Sequence, residues 1–174
     1  MKGKGEKGYT FLELLIIIAL ILIVLSVGIP MFVKFYKTYK FNKYGMELKN
    51  IVEWARAKAL ENKSYVWVCL EDTGYVDVCN GEGCKISVYN MRNCNGTKCV
   101  QGTLLKTLPI NDTWVTIKRS TLTPSTYECF VFNPKGLAIT SGDLCITNGK
   151  NYYKVILQID RGLITESAGS GECP

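Results

Sequence analysis

The chain has 174 residues, of which 47% are hydrophobic and 21% are charged, so extensive disorder is excluded. Because it contains no histidine, Ser-His-Asp and Cys-His catalysis and histidine-containing zinc sites are excluded as well. The formal net charge is +6, but residues 44–174 contain 14 Lys+Arg against 13 Asp+Glu, so the excess lies near the N-terminus. This near-neutral C-terminal part does not have the composition of a nucleic-acid-binding domain.

The first predicted elements are a short basic leader, residues 1–8, and an apolar segment, residues 9–29. The apolar segment has 21 residues, and its only charge is Glu13. A helix of that length spans roughly 30 Å, the thickness of the hydrocarbon core of a bilayer. A signal peptide normally has a shorter apolar region that ends at a small-residue cleavage site, and no such site follows here. The pattern therefore predicts a transmembrane helix.

Beyond Pro30 the helical pattern resumes as an amphipathic half, residues 30–63. Its apolar residues recur at spacings of three or four: Phe41, Tyr44, Leu48, Ile51, Ala55 and Ala59. We predict one helix from about residue 9 to about residue 62, with a kink at Pro30, because proline removes a backbone donor and clashes with the preceding turn. Gly45 is a second position that weakens the predicted helix. Four lysines on this half either contact anionic lipid head groups or form a solvated face: Lys34, Lys37, Lys40 and Lys43.

After Lys63 the hydrophobic period changes from 3.6 to 2, which is typical of β-strands. Strands are predicted at residues 64–70, 74–79, 85–89, 113–118, 127–132, 143–147 and 152–160. Turns are expected at 72–74 and 133–136 and a loop at 90–102, and the tail 166–174 should fray unless Cys173 is bonded. The predicted fold class is α+β, with a long N-terminal α-helix packed on an antiparallel β-sheet head, residues 64–174.

All eight cysteines lie in the predicted head: Cys69, Cys79, Cys84, Cys94, Cys99, Cys129, Cys145 and Cys173. An even number on one side of a membrane segment indicates disulfides in an oxidising compartment, so we expect the head to lie outside the cytoplasm. Lysines flank the apolar segment on both sides, so charge alone does not decide the orientation. The alternative is a metal site built from Cys79, Cys84, Cys94 and Cys99, although their CxxxxC spacings are looser than the usual zinc pairs. We expect no metal.

The junction from Gly8 to Glu13, Gly-Tyr-Thr-Phe-Leu-Glu, resembles the prepilin peptidase site of type IV pilins and type II secretion pseudopilins. The resemblance implies cleavage after Gly8 and N-methylation of the new terminus at Tyr9, where the family usually has phenylalanine. Pro30 stands where many of these proteins also have proline. The remaining chain is similar to H-type minor pseudopilins of type II secretion and T-type fimbrial minor pilins, and the matching stretches are residues 53–59, 66–69, 108–109, 130–136 and 160–162.

Glu13 is the residue for which this resemblance implies a mechanism. A carboxylate in hydrocarbon costs on the order of 3 kcal/mol or more unless it is paired or protonated. Cleavage after Gly8 would create a positive amine on Tyr9, and pairing of this amine with Glu13 would favour addition of a subunit to the filament. The alternative is that Glu13 lies in the head-group layer and interacts favourably with the helix dipole.

The resemblance implies a minor structural subunit of a type II secretion pseudopilus or type IV pilus, without a cofactor and without enzymatic activity. Its expected partners are a prepilin peptidase, other pilin or pseudopilin subunits, inner-membrane lipid and the assembly platform. We expect a single-pass protein of the bacterial inner membrane that later enters the pilus or pseudopilus. The alternative function is that of a DNA-binding minor pilin for DNA uptake. It is disfavoured because the segment after Arg161 contains two glutamates and no Lys or Arg.

Overall fold

The computed structural model describes residues 10–72, 76–80, 83–95, 98–159 and 164–174, and at residues 92–95 and 98–101 it describes the backbone alone. The chain divides into two compact units, of which the first ends at Lys40 and the second comprises Phe41–Pro174. A single helix, α1, spans Phe11–Asn62 and contributes to both units. The predicted boundaries of this helix, about residues 9 and 62, therefore differ from the observed ones by at most two residues.

In the first unit, α1 is exposed along its whole length. Every residue from Thr10 to Tyr39 is exposed, and the helix is long and apolar enough to cross a membrane. The helical assignment continues through Pro30, so the proline does not end the helix. The predicted kink at Pro30 stays a prediction.

In the second unit, α1 buries one stripe of residues, which includes all six apolar residues that the helical spacing predicted. The buried residues are Phe41, Tyr44, Gly45, Leu48, Ile51, Val52, Ala55 and Ala59. The helix ends in a Schellman-type turn, because Lys63 adopts a left-handed conformation with φ of 48° and the Ser64 N–H donates to the Ala59 carbonyl oxygen at 3.3 Å.

The strands of the second unit form two antiparallel sheets. In the described part of the chain they are β1 (Tyr65–Glu71), β2 (Val78–Asn80), β3 (Cys84–Asn95), β4 (Lys98–Ile110), β5 (Thr116–Arg119), β6 (Phe130–Phe132), β7 (Gly142–Thr147), β8 (Asn151–Leu157) and β9 (Ile164–Ser170). The first sheet has the order β4-β3-β1-β6 and the second has the order β2-β5-β7-β8-β9. The predicted α+β class with an antiparallel head is confirmed.

The core lies between the buried stripe of α1 and the inner faces of the two sheets. Its largest fully buried side chains include Phe130 and Phe132 of β6, Leu48 and Ile51 of α1, and Ile146 of β7. A smaller cluster occupies the opposite face of the first sheet and contains Trp67, Cys69, Met91, Cys129 and Val131. Burial of these side chains supplies the main favourable contribution to the free energy of folding.

One local prediction about the head was wrong. Residues 90–102 were expected to form a loop, but β3 continues to Asn95 and β4 begins at Lys98, with Cys94 and Cys99 paired in register. The tail was expected to fray unless Cys173 is bonded. Cys173 is bonded to Cys145, so the condition for an ordered tail is met, and residues 164–170, which were not predicted as a strand, form β9 and pair with β8. The predicted turn at 133–136 is confirmed by a hydrogen bond from the Gly136 N–H to the Asn133 carbonyl oxygen, whereas most of the turn predicted at 72–74 lies outside the described residues.

Candidate assembly site

The beginning of α1 is organised around Thr10. The Thr10 hydroxyl oxygen accepts a hydrogen bond from the Glu13 N–H at 3.3 Å, and its carbonyl oxygen accepts one from the Leu14 N–H at 3.2 Å. This is the N-cap half of a capping box, which needs Ser or Thr three residues before Glu or Gln. Gly8 and Tyr9 lie outside the described residues. The cap fixes the start of the helix immediately after the predicted cleavage site.

Glu13 lies in the first turn of α1 with its side chain exposed. A carboxylate at this position interacts favourably with the positive end of the helix dipole. This location therefore fits the interaction with the helix dipole, which is the alternative role expected for Glu13. It also leaves the carboxylate accessible for pairing with the Tyr9 amine. Thr10 was not among the predicted site residues, although the Thr-x-x-Glu spacing is a recognisable signal.

The first unit presents a continuous apolar surface without covering side chains. Its large apolar residues from Phe11 to Tyr39 are between 41% and 77% exposed. Soluble monomers rarely expose apolar patches larger than a few hundred Å². This surface therefore requires lipid or other apolar helices around it. The described residues contain one helix of this kind, which fits a single-pass, membrane-anchored protein.

The four lysines of the amphipathic half have different surroundings. Lys34 and Lys37 are exposed. The Lys40 ammonium lies 5.9 Å from the centre of the Tyr36 ring, and Lys43 pairs with Glu47 at 3.6 Å. Among the described residues, Lys40 and Lys43 therefore have local partners of this kind.

In the second unit, a polar cluster joins α1 to β8 and β9. The Tyr153 hydroxyl donates a hydrogen bond to the Glu166 carboxylate, and the Lys49 ammonium lies 3.1 Å from the same carboxylate. The hydrogen bond from Tyr153 and then the interaction with Lys49 lower the pKa of Glu166 from its ordinary value of 4.5. Burial, followed by the hydrogen bond to Glu166, raises the pKa of Tyr153. The cluster attaches β9 to the helix.

A second attachment joins the end of α1 to the turn at residues 133–136. The Arg56 Nε donates a hydrogen bond to the Gly136 carbonyl oxygen at 3.1 Å. Leu60 packs directly against Gly136: a Cβ atom built on this glycine would be only 2.7 Å from the Leu60 Cγ. The Asn133 side chain closes the turn by accepting hydrogen bonds from the N–H groups of Lys135 and Leu137. The stretch 130–136, noted for its resemblance to minor pseudopilins, is therefore a docking point for the helix end.

Glu71 is a buried carboxylate that was not among the predicted site residues. Its side chain accepts hydrogen bonds from the hydroxyl groups of Ser87 and Tyr89, both at 2.7 Å, and Lys85 lies 3.7 Å away. Each hydroxyl comes from the neighbouring strand β3, so the register of β1 against β3 brings the group together. Because its hydrogen-bonding capacity is used within the fold, Glu71 has a structural role.

The cysteines of the described part of the head form disulfides. Cys69 is bonded to Cys129, Cys79 to Cys84 and Cys145 to Cys173, with sequence separations of 60, 5 and 28 residues. The first bond joins β1 to the segment before β6, and the last joins β7 to the tail. The side chains of Cys94 and Cys99 lie outside the description. Because Cys79 and Cys84 are bonded to each other, the alternative four-cysteine metal site lacks two of its thiolates.

These features together define a class of protein: a subunit with one exposed apolar N-terminal helix that continues into a disulfide-bonded antiparallel head, as in the pilins and pseudopilins. Residues 45–162 match the protein family described as "Type II transport protein GspH". This match covers more than half of the chain, so the protein belongs to the GspH family of type II secretion minor pseudopilins. No curated protein matches the chain, and no solved structure matches it.

Proposed function

We propose that this minor pseudopilin is made as a precursor, cut between Gly8 and Tyr9 by a prepilin peptidase, and assembled into a type II secretion pseudopilus through α1. The observation that supports this proposal best is the exposed apolar surface of α1, which is interrupted by one acidic residue, Glu13. The family match supports the pseudopilin identity. The resemblance at residues 8–13 supports the cleavage position.

Before assembly, α1 would hold the subunit in the inner membrane with the head on the outer side. The disulfides support this orientation, because such bonds persist in oxidising compartments and are rare in the cytosol. The exposed ammonium groups of Lys34 and Lys37 would contact anionic lipid head groups. For the subunit to leave the membrane, the lipid around α1 must then be replaced. Apolar helices of neighbouring subunits, together with the assembly platform, would take its place.

Glu13 would direct the subunit into the filament. Cleavage after Gly8 places a positive amine on Tyr9, and its N-methylation keeps that charge. Pairing of this amine with Glu13 of the same or a neighbouring subunit would remove the cost of an unpaired carboxylate in an apolar surrounding. The Thr10 cap supports this arrangement, because it orders the first turn of α1 and leaves the Glu13 carboxylate exposed.

Intact-mass analysis of the protein purified from native membranes tests the proposed processing. We expect a chain that lacks residues 1–8 and carries one methyl group on Tyr9. A bulky replacement, Gly8→Leu, should leave the precursor uncut, whereas Gly5→Leu in the same leader should be cut normally. A mature chain that still begins at Met1 would contradict the proposal.

A further inference from the structure

Strand β9 is an edge of the second sheet, and its outer side is unpaired. It pairs with β8 in an unbroken register of seven pairs, from Asn151 opposite Ser170 to Leu157 opposite Ile164. In the described parts of the chain, no backbone hydrogen bond reaches the other side of β9. An unpaired edge of this kind is a template for another strand.

The register shows which backbone groups of β9 point outward. The Gly171 N–H donates to the Lys150 carbonyl oxygen at 2.7 Å, so these two residues form a hydrogen-bonded pair. Hydrogen-bonded and non-hydrogen-bonded pairs alternate along an antiparallel ladder. The N–H and C=O groups that point away from β8 therefore belong to every second residue, namely Ile164, Glu166, Ala168 and Ser170.

The other three sheet edges are protected against such pairing. The outer side of β6 is covered, because Phe132 forms a bridge to Ala138 and the Ile139 N–H donates to the Val131 carbonyl oxygen. The edge strand β4 contains Pro109, which lacks an N–H, and a register shift opposite Val88 and Tyr89. The edge strand β2 has only three residues. Coverage, proline, bulges and short length are the usual ways in which proteins block their sheet edges.

Strand β9 has seven residues, no proline and no register shift. It is also held in place at both ends. Near its beginning, Glu166 is attached to Tyr153 and Lys49, and beyond its end Cys173 is bonded to Cys145. The ring of Tyr152 lies over Gly169, because a Cβ atom there would be 2.7 Å from the ring. The edge is therefore already ordered, which lowers the entropic cost of adding a strand.

We propose that β9 accepts an extended strand from another pseudopilin subunit and that this strand carries lysine or arginine. Other pseudopilins are the partners that the family implies. The charge of the edge favours a basic strand, because residues 164–174 contain two carboxylates, Glu166 and Glu172, and no Lys or Arg. Glu166 already pairs with Lys49 at 3.1 Å and Glu172 with Lys118 at 3.6 Å, but the two carboxylate side chains are 48% and 74% exposed, so each has room for a further cation. This inference rests on the proposed assembly into a pseudopilus.

The test places the photoreactive residue benzoylphenylalanine at Ser170 of the full chain, in cells that contain the other secretion subunits. Irradiation should give a crosslink whose peptide comes from a Lys- or Arg-containing strand of another pseudopilin. The same probe at Val78, an exposed residue on the opposite edge of the second sheet, should give at least tenfold less. A crosslink confined to a second copy of this chain would overturn the proposal.

Two substitutions at Ala168 test whether backbone pairing makes the contact. Ala168→Pro removes an outward N–H and no hydrogen bond within the head, so the crosslink from Ser170 should fall at least tenfold while thermal unfolding of the head changes little. Ala168→Ser keeps the N–H and should preserve the crosslink. If the protein co-purifies with sheared pseudopili but gives no crosslink, only the β9 proposal fails. If it is absent from the pseudopili, the proposed function fails as well.

Discussion

Gly45 of α1 packs against the ring of Tyr153 in β8. A Cβ atom built on Gly45 would be 2.7 Å from the Tyr153 Cγ and 2.9 Å from its Cδ2, so this position leaves no space for a side chain. The glycine that looked like a weak point in the helical pattern is the place where α1 approaches the second sheet. This close approach sets the position of the Tyr153 hydroxyl that holds Glu166.

We therefore expect Gly45→Ala to destabilise the head. Overpacking typically costs about 1–3 kcal/mol, and the better helix propensity of alanine returns about 1 kcal/mol, so a net loss of up to about 2 kcal/mol is predicted. The measurement is thermal unfolding of the full chain in detergent, followed by circular dichroism. Gly28→Ala is the matched control, because nothing lies within 4 Å of the added carbon. Equal stability of the two variants would contradict the close packing.

The docking of the helix end on the turn at 133–136 predicts a cost for Gly136→Ala. Gly136 has a φ of +70°, and an added Cβ would meet the Leu60 side chain. Gly149 has a φ of +79° with nothing within 4 Å, so Gly149→Ala measures backbone strain alone, about 1–2 kcal/mol. Chemical denaturation should show a larger loss for Gly136→Ala, and Leu60→Ala in the same chain should reduce the difference. A Gly136→Ala loss no larger than that of Gly149→Ala would mean that Leu60 does not hold the turn.

The disulfide between Cys145 and Cys173 should stabilise β9. Replacing both cysteines by serine should cost about 3–4 kcal/mol for a loop of 28 residues, whereas replacing Cys79 and Cys84, with a loop of 5, should cost about 2 kcal/mol. Hydrogen exchange should become faster at the β9 amides in the first variant only. Unchanged exchange there would show that the β8 ladder alone holds the strand. Alkylation of the unreduced wild-type chain should label no thiol, since we also expect Cys94 and Cys99 to be bonded.

The lowered pKa of Glu166 predicts a pH-dependent contribution to stability. Because the folded pKa lies below the ordinary value of 4.5, the contribution is present above about pH 4.5 and is lost as the pH falls through the folded pKa. Wild type should therefore be more stable than Glu166→Gln at pH 7, and the difference should shrink below pH 4.5. Tyr153→Phe removes the first cause of the shift and should weaken this dependence in a chain that keeps Glu166. A wild-type advantage that is constant from pH 7 to pH 3 would contradict the assignment.

The sequence predicted the helix and most strands because their periodicity is regular. Strand β4 was missed because two adjacent leucines, Leu104 and Leu105, lie where the register shifts, and Pro109 further weakens the strand signal. Strand β9 was missed because its small and polar residues have low strand propensity, and pairing with β8 and the bond at Cys173 compensate for this. Both strands depend on tertiary contacts that a local pattern does not contain.

The candidate site was predictable only where a local sequence pattern marks its residues. Glu13 stands out in the sequence because it interrupts an apolar segment, and Thr10 could have been found from its spacing to Glu13. The cluster of Lys49, Tyr153 and Glu166 joins Lys49 to two residues that lie more than 100 positions further along the chain. No local signal identifies such a cluster, because the fold alone brings its members together.

In the proposed function, the charge of Glu13 directs the subunit into the pseudopilus. Glu13→Gln removes the charge and keeps an amide that suits the capping position, whereas Thr10→Ala removes the cap and keeps the charge. The two variants therefore separate assembly from helix capping. Membrane fractionation should show normal insertion of both proteins, because neither change makes the apolar segment more polar.

The deciding measurement is the amount of each variant that co-purifies with sheared pseudopili, relative to its amount in the membrane fraction. We predict that Glu13→Gln is reduced at least tenfold and that Thr10→Ala stays close to wild type. Normal incorporation of Glu13→Gln would contradict the mechanism. Equal loss of both variants would show that Glu13 acts through the helix terminus and not through pairing with the Tyr9 amine.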